Sequence, residues 1–83
     1  MSDPINALQH GAQFPYDGGE DFWNSKVPAP PATDWAHAAA RGVLADLSDR
    51  RGIRHELDAV DYDVREELTA SIAAIIRAAQ EAA

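Results

Sequence analysis

Two stretches of the chain carry apolar side chains at helical spacing. In the first, Trp35, Ala39, Val43 and Leu47 recur at four-residue steps, with Ala36, Ala40 and Leu44 beside them. Together they form one apolar stripe on a helix. Thr33 or Asp34 supplies the N-cap, and the helix is predicted to run to about Arg51, with Gly52 as its stop. Arg50 and Arg51 then lie in the last turn, where cations complement the helix dipole. In the second stretch, Val64, Leu68, Ile72, Ile75 and Ala79 make a stripe, with Ile76 next to it. Asp61 or Asp63 caps this helix, and Asp63 with Glu66 has capping-box spacing. Fraying is expected past Gln80. Between the two, Ile53, Leu57 and Val60 are spaced to face one side of a short helical turn.

Residues 1–33 show no such period. They hold all five prolines, whereas residues 34–83 hold none and are rich in alanine. Ser2, Asp3 and Pro4 form a helix start, and one or two turns over Pro4–His10 put Ile5 and Leu8 on one face, with Gly11 as the stop. From Gly11 to Pro31, turns and polyproline-like backbone are expected, because proline removes amide donors and glycine weakens regular structure. Four of the six aromatics, Phe14, Tyr16, Phe22 and Trp23, fall here. An arm so aromatic either folds back over the helices or anchors in a partner. The predicted fold class is all-α: an antiparallel helical hairpin with a short bridging helix over residues 34–83, preceded by an irregular, aromatic-rich arm over residues 1–33.

Composition narrows the function. The 83 residues suffice for one small domain, in which a deep catalytic pocket is hard to build. There is no cysteine, so thiol nucleophiles, disulfides and thiolate metal sites are excluded. Ser2, Ser25, Ser48 and Ser71 lie in no nucleophile-elbow context. Gly18-Gly19 is followed by Glu20-Asp21, which would repel phosphate. His10, His37 and His55 lack the spacing that puts two ligands on one helical face. The run Asp58, Asp61, Asp63 has neither the glycine nor the final glutamate of a calcium loop. Neither an enzyme, a cofactor nor a metal site is expected. The first residues are no signal peptide, and the apolar stretch at 70–79 is far short of the ~20 residues that span a bilayer. A cytoplasmic protein is the expectation.

Fourteen acids against seven bases leave a formal charge of −7. That balance opposes direct binding to nucleic acid or an anionic membrane and suits docking onto a basic protein surface. Glu56, Asp58, Asp61, Asp63, Glu66 and Glu67 are concentrated in one short run, against one base, Arg65. These six acids, with Phe22 and Trp23 of the arm, are the candidate partner-binding residues. Carboxylates along a helix end can pair with the Arg and Lys that otherwise grip a phosphate backbone. The bland alternative is a solvated, solubilising face. Arg50, Arg51 and Arg54 are expected to make salt bridges with the acids that follow.

Residues 42–53 read GVLADLSDRRGI, residues 61–68 DYDVREEL and residues 75–77 IIR. In this order they resemble a group of short phage and prophage proteins with the pattern LxDRRGI…DVRxE…IIR, over roughly residues 40–78. The pattern transfers no activity residue by residue. A phage origin implies a stoichiometric inhibitor of host machinery, of which anti-CRISPR proteins are a prominent class. The partner so implied is a host nucleoprotein with a basic surface, such as a CRISPR effector, in the host cytoplasm. The alternative is a small helical structural or assembly subunit of a phage or host complex, a homo-oligomer joined through the stripe at residues 64–79.

Overall fold

A computed structural model describes residues 3–83 of the chain. Among the described residues there are five α-helices and no strand: α1 (Pro4–Gln13), α2 (Gly19–Trp23), α3 (Trp35–Ser48), α4 (Arg54–Asp58) and α5 (Tyr62–Ala82). Helices α3 and α5 form the antiparallel hairpin and α4 bridges them. Arg77, in the last third of α5, donates to the carboxylate of Asp34, which caps the start of α3. At 1.5 Å per residue, α5 is about 31 Å long and sets the longest dimension of the molecule, 39 Å.

Helix α3 is central. It packs against α1 on one side and α5 on the other, and α1 and α5 have no close backbone approach among the described residues. The seam between α3 and α5 is made of small side chains. Ala36, Ala40 and Ala73 are fully buried, with Ile72 and Ile76 packed against them. Thr69 is buried too, and its hydroxyl donates to the Arg65 carbonyl one turn back, so the core holds no unpaired group there. Leu44 is the largest of the fully buried side chains.

The stripe predicted for α5 is met in part: Ile72 and Ile76 pack against the core and Leu68 is half-buried. Arg65, Thr69 and Ala73 face inward, while Val64 and Ile75 are exposed. Trp35 and Val43 of α3 are likewise exposed, and Arg41 and Gly42 are buried. The physical reason is close approach: alanine, threonine and glycine let the helices come together, and the two arginines satisfy their donors internally.

The arm holds more helix than the sequence pattern implies. Asp3 caps α1 by accepting from the Ile5 amide, whereas Ser2 lies outside the described residues. Gly11 does not end α1; the helix continues to Gln13. A Cβ at Gly11 would stand 2.6 Å from the Arg41 carbonyl oxygen, so this glycine is where α1 crosses α3. Opposite it, Gly42 receives Leu8. At the other end of the chain α5 runs to Ala82, past the point where fraying is expected.

Helix α3 ends at Ser48, before the predicted Arg51, because the Asp49 and Arg50 amides turn back onto the Asp46 and Leu47 carbonyls. Gly52 serves the turn that follows, with φ +87°. Asp61 occupies the N-cap position of α5, but its carboxylate makes no capping bond. Asp63 is already inside the helix and accepts from the Val64 amide, so the predicted capping box does not form.

Candidate partner-binding surface

Glu56 and Asp58 lie on α4, Asp61 at the start of α5, and Asp63, Glu66 and Glu67 on its first turns. All six are exposed. Asp61 at the N-cap and Asp63 in the first turn of α5 are favourably placed, because the helix dipole is positive there. Arg54 reaches Asp58 at 4.0 Å with both side chains largely in solvent, and such a pair holds weakly. Arg50 instead pairs with Asp46, the acid one turn before it, at 2.9 Å. The Arg54–Asp58 pair is a bridge of the expected kind, from an arginine to an acid that follows it.

Arg65, the single base within the acidic run, is 8 % exposed. Its guanidinium donates to the Val60 and Asp58 carbonyls at 2.8 Å each. Three aromatic rings surround it: Tyr16 and Tyr62 with centroids 4.9 Å away, and Trp23 at 5.8 Å. The side chain is thus turned inward, and the carboxylates around it are turned out.

The arm supplies two of those rings, and this is how it folds back. Tyr16 is buried and its hydroxyl donates to the Leu57 carbonyl at 2.7 Å. Burial raises the Tyr16 pKa above its ordinary value, Arg65 opposes this, and Asp58 adds to it. The Trp23 indole donates to the Pro15 carbonyl at 3.1 Å and packs edge-on against Phe22 at 5.1 Å. Phe22 is half-buried, whereas Trp23 keeps part of its surface in solvent. A second buried arginine ties down the rest of the arm. Arg41 on α3 donates to the Asp17 carboxylate at 2.6 Å and to the Pro30 carbonyl at 2.9 Å.

Between the arm and helices α3, α4 and α5 lies an open basin of about 580 Å³. Its lining includes Phe14, Trp23, Tyr62, Asp58, Arg54 and Arg65. On the opposite side, Leu8 of α1 and Val43 and Leu47 of α3 line a shallow apolar groove.

No protein-family model, curated protein or solved structure matches the chain. Among the described residues, no group of three or more His, Cys, Asp or Glu is placed to hold a metal ion. His37 is engaged with the Asp34 carboxylate at 2.9 Å, and His10 packs against the Phe14 ring at 5.0 Å. No described helix is long and apolar enough to cross a membrane.

Arg65 touches both Trp23 and the Asp58 carbonyl, so Trp23 lies beside the start of the acidic run, with Phe22 half-buried next to it. The organising residues that the pattern did not single out are Tyr16, Arg41 and Arg65. The available signal was position: Arg41 interrupts an alanine-rich apolar stripe, and Arg65 is the lone base in a run of acids.

Proposed function

We propose that the protein is a non-catalytic, stoichiometric inhibitor that binds a host nucleoprotein effector and blocks its access to nucleic acid, in the manner of an anti-CRISPR protein. One observation carries this reading: Arg65 is withdrawn into a cage of rings and carbonyls while Glu56, Asp58, Asp61, Asp63, Glu66 and Glu67 all face solvent. Removing the base from the surface leaves the exposed charge of residues 56–67 predominantly negative. Such a face can occupy arginines and lysines that otherwise hold a phosphate backbone. The likeness of residues 40–78 to short phage proteins supports a host target.

Expressed with a tag in a bacterium with an active CRISPR system, the protein should co-purify with an effector subunit in stoichiometric amount at low salt. Raising the salt should release it, since exposed charges more than about 10 Å apart are screened at 0.1 M. Recovery of only its own oligomer, or of virion components, would instead indicate a structural or assembly subunit. The exposed apolar side chains Ile5, Leu8 and Val43 favour that second reading. Its interface would be sought beside α1, or at exposed Ile75, and solution mass would separate a monomer from a stable oligomer.

A further inference from the structure

The basin beside the acidic face has a lining whose chemistry selects a ligand. We propose that it is an anchor pocket for one arginine side chain of the protein partner. This rests on the inhibitor reading above and assigns the site that would give the docking its register.

Four features carry the inference. The volume, about 580 Å³, lies within the range of pockets that enclose a small organic group. Ala45 and the Phe14 ring are apolar parts of the lining, beside which the methylenes of a long cationic side chain can lie. Phe14 stands in the wall, half-exposed and backed by His10. A planar guanidinium stacks on such a ring, which a compact ammonium does less well. Asp58 lines the basin and also belongs to the acidic run. Its side chain is 66 % exposed and is reached by Arg54 only at 4.0 Å.

The cations already present do not exclude a third. Arg65 donates to the Val60 and Asp58 carbonyls and stacks on Tyr16, Tyr62 and Trp23, so its guanidinium is already held in place. Its packing also shows that these rings accept a guanidinium. Arg54 is 74 % exposed on a flexible stem, so an incoming arginine can displace it from Asp58 at little cost. An anionic occupant would instead meet the carboxylates of Asp49 and Asp58.

The test uses the two tryptophans of the full chain. Trp23 lines the basin, and Trp35 lies at the other end of α3 against Arg77. A capped Gly-Arg-Gly peptide is titrated at ~1 mM and above, the affinity range of a single side-chain contact, while the two indole N–H resonances are followed. The Trp23 resonance should shift saturably and Trp35 should not. The same peptide with neutral citrulline in place of arginine should leave both unmoved. Phe14→Leu, which keeps apolar volume without the ring, and Asp58→Asn should each weaken binding by about tenfold. Both positions are exposed enough for the fold to survive, which a dispersed amide spectrum checks.

A silent Trp23, an equal response to citrulline, or binding indifferent to both substitutions would overturn the pocket. The two readings fail separately. Co-purification that is lost on neutralising Asp61, Asp63, Glu66 and Glu67, with Trp23 silent, keeps the inhibitor and removes the pocket. A saturable, Phe14-dependent response in a protein that captures no effector keeps the pocket and removes the inhibitor.

Discussion

Arg65 illustrates how one side chain can serve both stability and surface charge. Two backbone carbonyls lose their donor if it is replaced, and three rings lose the group they pack on. Arg65→Met keeps the stem and should lower unfolding free energy by about 3 kcal/mol, read from a denaturant titration. A loss under about 1 kcal/mol would mean that water reaches those carbonyls and that the cage is not structural. Asp34 makes a second single-residue case. Its carboxylate accepts from Arg77, from the His37 amide and from the His37 ring. The Arg77 contact first, and the His37 amide next, hold its pKa well below the usual carboxylate range. A depressed folded-state pKa contributes stability that is present above the unfolded value of 3.8 and lost as pH falls through the folded one. The melting temperatures of wild type and Asp34→Asn should therefore differ at neutral pH and converge as pH falls below about 4. A constant gap down to the lowest pH at which both fold would assign the effect to something other than this ionisation.

Helix α1 shows packing overriding propensity. Replacing a mid-helix glycine by alanine ordinarily stabilises a helix by up to about 1 kcal/mol. Gly11→Ala should do the reverse, because the new methyl would meet the Arg41 carbonyl at 2.6 Å and the Gly42 nitrogen at 2.9 Å. Overpacking of this kind costs about 1–3 kcal/mol. A thermal melt decides the sign, and a raised melting temperature would show that α1 moves off α3 without loss. Of this contact the sequence revealed the glycine but not its use. A glycine within an otherwise helical pattern reads as a stop when the neighbouring helix is unknown. The capping of α3 by Asp34 and the existence of α4 were legible, since both depend on local spacing. The facing of α5 was legible only in part: Ile72 and Ile76 pack inward as the pattern implies, but exposed Val64 and Ile75 carry a stronger apolar signal than the alanine and threonine at the centre of the seam.

Across the molecule, the acidic face and the fold are separable. Asp61, Asp63, Glu66 and Glu67 are exposed, and their carboxylates form none of the ion pairs found among the described residues. Neutralising all four to Asn and Gln should leave the melting temperature within a few degrees, since surface substitutions are usually worth about 0.5 kcal/mol or less. Effector capture should be lost, and the remaining binding should depend less on salt. Full inhibition by this variant would return the acids to a solubilising role. The arm belongs to the same body as the hairpin: Arg41 holds Asp17 and Pro30, and Tyr16 reaches Leu57. The core it completes is built mostly of small residues.

The all-α class, the two long helices with their short bridge, and the concentration of acids in one short run are all properties of neighbours in sequence. Periodicity, caps and charge counts report these directly. Which face of each helix is buried depends on contacts between residues far apart in the chain, as does the depth of Arg41 and Arg65. Charged residues are expected outside by default, and only the placement of Val60, Asp58, Asp17 and Pro30 beside these guanidinium groups makes the interior the better place for them. The tertiary structure therefore decided which charges of the candidate site face solvent, because burial of an arginine requires acceptors that no local pattern can supply.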